Sequence, residues 1–344
     1  MSERAKKWLR RAGYVAFYLL AFVLFLSLLF PYNALKDSLV AQFNAQQRMT
    51  NSPQQLTIDD MGWYWFTGVR AKGVELRAAA TEPGKPPTVI KIDEARGRIS
   101  LLGLLVGNKD VSFHLEVLGG GVDGGFELHG KDRAVELKFD GVDVKQLDMI
   151  KDLIGLPVEG KLFGAIKIAL PEGKASKGTG TVDLEIRDVA IGDGKAKLKN
   201  ALDWPKLSVG NLAFQAEAKE GQLKVSKFGA SGKDLELQGE GKVQMRELAT
   251  ESTLDMNVRF KIADSYKGKS DVTKNLFGAP GGGKAGDIEL FVPEMKMAKR
   301  ADGFYAFHVQ GLLGKPSFLP TGGSMSAGPG GFVPGLPGMG RPAP

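Results

Sequence analysis

The residues best suited to chemistry are few and widely separated. The stretch "GAPGGGKA", from Gly278 to Ala285, nearly spells a phosphate-binding loop. Such a loop needs a Ser or Thr after the lysine to hold magnesium, and it must sit between a strand and a helix. Here Ala285 follows Lys284 and carries no hydroxyl, and the next residues, "GDIELFVPEM", read as a strand. A flexible glycine-rich linker is therefore expected at about residues 265–286. The three histidines, His114, His129 and His308, each fall on the polar side of an alternating segment, and no two have the close spacing of a zinc site. Carboxylates are numerous, but most alternate along strand faces as solvated side chains do, and no pair stands out as acid and base. The chain has no cysteine, which excludes disulfides and thiolate metal sites. No catalytic, cofactor-binding or metal-binding residue is expected, and no enzyme.

The elements that carry these residues say more. Arg4, Lys6, Lys7, Arg10 and Arg11 precede an uncharged run, "AGYVAFYLLAFVLFLSLLF", at residues 12–30. As a helix the run is about 28 Å long and matches a hydrocarbon core of roughly 30 Å. No small-x-small cleavage site follows directly, so an uncleaved single-pass anchor is expected rather than a cleaved signal. The basic residues place segment 1–11 in the cytoplasm and send residues 31–319 across the membrane. Much of the net charge of +7 lies in this leader, and the remaining charges are too evenly mixed for a nucleic-acid surface.

A short helix, "ALKDSLVAQFNAQQ", leads away from the span. An aromatic cluster follows, Trp63, Tyr64, Trp65 and Phe66. Core packing, a ligand platform and a membrane-interface belt all fit it; the tendency of aromatics to be buried favours core, and nearness to the anchor keeps the interface reading open.

From about Val89 the pattern has period two. "TLDMNVRFKIAD" sets Leu254, Met256, Val258, Phe260 and Ile262 against Asp255, Asn257, Arg259 and Lys261, and Leu162, Ile166, Ile168 and Leu170 line one side of "KLFGAIKIAL". Glycine-containing turns separate these runs, in keeping with 46 glycines in 344 residues, and predict a meander of antiparallel hairpins. One interruption, at about 143–155, has helical spacing. The fold class is thus mainly β: a large curved antiparallel sheet or a sandwich, with one or two short helices behind a single transmembrane helix. Such a sheet must cover its apolar face with a second layer, a partner or lipid. The nine residues from Leu162 to Ile262 named above are the candidates for that face, with a second sheet layer the favoured cover. Residues 320–344, about half glycine and proline, are expected to be a disordered tail.

Several segments carry a family likeness: "MGWYWFTGVRAKGVEL", "LDMIKDLIGLPVEGKLFGAIKIALPEGKASKGTGTVDLEI", "IGDGKAKL", "DWPKLSVGNLAF" and "YAFHVQGLLGKPSFLP". Together with the basic start and single span, they make the chain resemble the type II secretion system protein N family over residues 1–320. It is also similar to the wider group of AsmA-like envelope proteins. The first resemblance implies a non-enzymatic, structural subunit of the bacterial inner membrane, with its bulk in the periplasm and other secretion subunits as partners. The second implies lipid handling, with phospholipid held on the apolar face of a curved sheet. The glycine- and proline-rich tail departs from both.

Overall fold

The computed structural model of the chain describes residues 32–47, 54–65, 67–78, 88–147, 155–198, 202–281 and 286–322, with a scatter of positions from 8 to 31. Helix α1 (Tyr32–Gln47) opens this region. Strands β1 (Gln54–Tyr64), β2 (Gly68–Ala78) and β3 (Thr88–Ile99) follow, then a short helix, α2 (Leu101–Leu105). The chain continues through β4 (Lys109–Val117), β5 (Gly120–His129), β6 (Asp132–Asp143), β7 (Val158–Leu170) and β8 (Thr179–Ile191). A two-stranded ribbon, β9 (Lys197–Leu198) with β10 (Leu202–Asp203), interrupts the series. Then come β11 (Leu207–Lys219), β12 (Gln222–Ser231), β13 (Leu235–Gln244) and β14 (Thr253–Ile262). Four short helices, α3 (Asp264–Lys267), α4 (Asp271–Phe277), α5 (Asp287–Phe291) and α6 (Pro293–Ala298), precede the closing hairpin of β15 (Tyr305–Leu312) and β16 (Lys315–Pro320).

All strands but β9 and β10 form one 14-stranded open sheet, in which each pairs antiparallel with the next in sequence. The expected meander is what forms. A second sheet layer, which the sandwich alternative and the favoured cover both required, is absent among the described residues. The alternating pattern cannot distinguish these cases, because a strand face reads the same whatever lies above it.

Two local expectations change. "GDIELFVPEM" folds as α5 and α6, not as a strand: Gly286 stands at the cap of the first, and Pro293 occupies the opening turn of the second, where its missing N–H costs nothing. Much of the supposed linker at 265–286 is ordered as α3 and α4. A Ser270–Thr273 capping box fixes α4, and Tyr266, Leu276 and Phe277 are buried. "GAPGGGKA" therefore lies between two helices, outside the strand–loop–helix setting of a phosphate loop; residues 282–285 fall outside the described set. Of the helical insertion at 143–155, a 3-10 turn at Val144–Gln146 is seen and 148–154 are outside the described residues. Among the described residues no helix is long and apolar enough to cross a membrane, and much of the 12–30 run lies outside them.

In a meander, successive turns fall on alternate sides. The β2–β3, β4–β5, β6–β7, β8–β11, β12–β13 and β14–β15 connections share one side, and the main core forms there. It gathers Val144, Leu156, Trp204, Leu207, Ile262, Tyr266, Phe277, Ile288 and Tyr305, with α3–α6 folded over the strand ends. Trp204 and Tyr266 both pack on the Phe277 ring, and the Tyr266 hydroxyl donates to Pro205 O at 2.8 Å. Within this core Glu289 is paired: Lys299 Nζ lies 2.7 Å away, and the Tyr305 hydroxyl donates to it at 3.1 Å. Burial first, then Glu289, holds the Tyr305 phenol above its ordinary pKa. We call this side the sealed flank and the opposite one the open rim.

Both outer strands are protected. Asn44 of α1 uses its amide on the backbone of Leu56, accepting from the N–H at 2.8 Å and donating to the carbonyl at 3.2 Å. Lys36 reaches Asp59 O, and Leu35 packs on the core of Met61, Ala71 and Val74. At the other edge, Thr321 N bonds Ala306 O, and His308, Gln310 and Leu312 face Leu319, Ser317 and Lys315. That register leaves Pro316, Phe318 and Pro320 with their backbones turned outward, so Phe318 alone has an outward N–H to offer a further strand.

Close strand approach needs glycine at particular points. At Gly180 φ is +153°, and a Cβ would run into the Lys167 carbonyl oxygen of β7. Gly180→Val is expected to lower stability by roughly 2–4 kcal/mol, through strain plus overpacking. Urea unfolding followed by far-UV circular dichroism checks this, with Gly62→Ala, where an added Cβ meets nothing within 4 Å and the backbone is not left-handed, as the conservative comparison.

Candidate functional site

The pairing registers align the apolar faces of all fourteen strands. One row starts at Trp63 on β1 and passes Val69, Gly97, Phe113, Gly124 and Leu137 to β6. It continues through Ile166, Val182, Ala216, Val225, Gly241 and Met256 to Val309 and Phe318 on β16. No polar side chain interrupts it. A second row, nearer the sealed flank, runs from Met61 to Pro320 by way of Leu115, Phe139, Leu184, Phe214 and Val258. A third, nearer the open rim, runs from Ile99 on β3 to Pro316, through Phe126, Ile168, Leu223 and Leu254. Thirteen strand spacings make the lane roughly 60 Å along its contour.

Its lining changes along its length. Over β8–β15, Val182, Ala216, Val225, Met256 and Val309 are buried in a cluster whose members, among the described residues, all lie on strands. Large residues also lean over glycines on neighbouring strands: the Phe113 ring lies where Gly124 would carry a side chain, and Phe228 does the same over Gly239. Over β3–β7 the lane is more open, with Phe113, Leu137 and Ile166 half-buried and Phe126 exposed.

The nine face candidates divide. Ile166, Ile168, Leu254, Met256 and Val258 line the lane. Leu162, Phe260 and Ile262 join the sealed core instead, and Leu170 ends β7 against Gly178. Of the four aromatics, Trp63 is 50% and Trp65 61% exposed, which overturns the expectation of core for these two: the β1–β2 turn lies at the open rim, away from the main core. Tyr64 is half-buried on the opposite face, with the Arg70 and Arg96 guanidinium groups 5.4 and 5.7 Å from its ring. Phe66 is outside the described residues. Trp63, Tyr64, Trp65 and Arg70 line a depression of about 400 Å³. The β1–β6 half of the lane was missed as a site; its alternation is visible in sequence, but its alignment with β7–β16 is a property of register.

The other face is polar and locally paired. His114 lies 2.7 Å from Asp123 and His129 2.8 Å from Asp110. Arg96 hydrogen-bonds Glu94 and holds its carboxyl below the ordinary range. Lys206 and then Lys145 do the same for Glu159. Lys174 and Lys177 take the Glu172 carboxyl down to about 2. Among the described residues no group of three or more His, Asp or Glu is placed to hold a metal ion. The lane offers bulk, length and apolarity, and no group that moves a proton.

No protein-family model matches the chain, and no curated protein or solved structure matches it significantly.

Since the chain lacks cysteine, single thiols can map the lane. Phe113→Cys and Ile166→Cys are expected to react about tenfold faster with a water-soluble maleimide than Ile262→Cys, whose modification needs local opening under α3–α6. Equal rates would place the half-open lane under a cover. Met256→Ala, which vacates a buried position, is expected to cost roughly 2–3 kcal/mol in urea unfolding.

Proposed function

We propose that this chain is a non-enzymatic carrier that holds the acyl chains of phospholipid along its apolar lane while anchored in the bacterial inner membrane by residues 12–30, its bulk in the periplasm. The observation that carries this reading is the continuity of the rows: two span all fourteen strands without a polar side chain. An extended peptide laid on such a surface would leave its N–H and C=O groups facing hydrocarbon, at a cost of a few kcal/mol each. An acyl chain has no such groups. Strand addition is also disfavoured, because α1 occupies one edge and two prolines occupy the other. The lane far exceeds one acyl chain in length, so several lipids can lie in file.

Support for the anchor comes from the described positions inside the 12–30 run. All of them but Phe30 are helical, and Tyr14, Phe17, Tyr18, Phe22 and Phe25 all stand largely exposed, as side chains awaiting lipid rather than protein do.

A second reading keeps the role implied by the likeness to type II secretion proteins, a scaffold that contacts other secretion subunits. The sealed flank favours it: α3–α6 close one side of the sheet with protein alone, and the ordered ion pairs of the polar face suit a rigid platform.

Photo-crosslinking in living bacteria separates the two. Benzoylphenylalanine replaces Phe113, Phe214 or Phe318 in the full chain; all three are lane residues, and the outer two are roughly 48 Å apart along the row. The carrier reading expects phospholipid adducts at all three and none at Ser112 or Gln310 on the polar face. Protein adducts at the polar positions, lipid-free lane positions and exoproteins trapped in the periplasm on deletion would establish the scaffold instead.

A further inference from the structure

Beside the Trp63 end of the lane stands a second apolar feature that the carrier reading does not use. Helix α2 is built from "LLGLLVG", with Ser100 capping it by accepting from Gly103 N at 3.1 Å. Its exit is open: Leu105 is 82% and Val106 74% exposed, and Leu104 is exposed as well. No charge lies between Ser100 and Lys109. A five-residue helix of leucines gains nothing from solvent, and packing on the body does not account for its outer side chains.

Position gives the feature its meaning. Trp65, Ser100 and Ile99 line one depression of about 590 Å³, so α2 and the β1–β2 turn are neighbours on the open rim. The direction of α1 places the membrane on the same side. Lys36 lies beside Asp59 and Asn44 beside Leu56, so α1 runs antiparallel to β1, and its start at Tyr32 points to the β1 end that carries Trp63 and Trp65. The apolar 12–30 run, which feeds directly into α1, thus arrives at the rim that bears α2.

We infer that α2 and the β1–β2 turn form a foot that dips into the surface of the bilayer holding the anchor, with Leu104, Leu105 and Val106 in the acyl region and Trp65 at the headgroup boundary. Tryptophan prefers that boundary, where its ring is buried and its N–H stays wet. The foot fixes the orientation of the sheet and sets the Trp63 end of the lane at the membrane surface. This inference rests on the proposed anchor and carrier roles, and its failure must be separable from theirs.

The full chain, with one cysteine carrying an environment-sensitive fluorophore at Leu105, Val106, Phe22 or Lys195, is reconstituted into vesicles of phosphatidylethanolamine and phosphatidylglycerol containing a doxyl-labelled phosphatidylcholine. Residue 195 lies on the sealed-flank side and serves as the solvent control; residue 22 reports the anchor. Labels at 105 and 106 are expected to shift to the blue and to be quenched several-fold more than the label at 195, and Leu105→Asp is expected to remove the quenching at 106 without changing that at 22. A blue shift at 105 without lipid quenching would show a protein contact there and overturn the foot. A 105 label that behaves like 195 while 22 is quenched would overturn it too, with the anchor intact. Phospholipid adducts at Phe113 and Phe318 in the Leu105→Asp chain report the carrier role independently.

Discussion

Every feature of this molecule depends on the parity of strand register. Thirteen consecutive antiparallel pairings bring apolar residues onto one face, and a one-residue slip at any of them would carry every strand beyond it to the wrong side. An error in the middle of the sheet would thus join a wet half-face to a dry one and end the lane there. The two rows that cross all fourteen strands are the sum of thirteen correct choices, most of them set by a short connecting turn and all of them favoured by gathering apolar residues on one face.

Irregularities are confined to where they do not break this order. The register shifts at Ile92/Glu94, Phe139/Val142, Glu159/Lys161, Ser208/Leu212, Gln215/Ala216 and Val225/Phe228 all lie on the sealed-flank side of the first row, the last two directly against it. A bulge raises local twist and bends the strand that carries it. Concentrated on one side, these bends turn the strand ends over the core that α3–α6 complete, while the first and third rows stay regular. One margin of the sheet is therefore folded and packed, and the other presents its hairpins to the surroundings.

Much of this architecture is legible in the chain. The alternation in "TLDMNVRFKIAD" and "AVELKFD" gives strands and their wet faces, and the histidines do fall on the polar face. Which residues meet across strands is not legible, because bulges break period two without a mark in composition. That is why Phe260 and Ile262 look equivalent to Met256 in sequence, yet they pack in the sealed core while Met256 leans over Gly241. The segment after Gly278 misled for another reason. Its apolar residues are few enough to fit a strand or two turns of helix, and the choice is made by Pro293 and by the core that Ile288, Met295 and Ala298 enter. Trp63 and Trp65 carry apolar bulk, which predicts burial only where something stands above them.

The meander also has a kinetic meaning. Because each strand pairs with the one just made, nearly all partners are close in sequence, and the loops to be closed stay short until the 42 residues that separate β14 from β15. Short loops keep the entropic cost of each pairing low and favour fast folding for a sheet of this size. A chain that emerges N-terminus first meets α1 already in place over the first edge, and each new hairpin covers the edge left by the last. The growing sheet exposes a single bare edge at any moment, and the prolines of β16 retire that edge when synthesis is done.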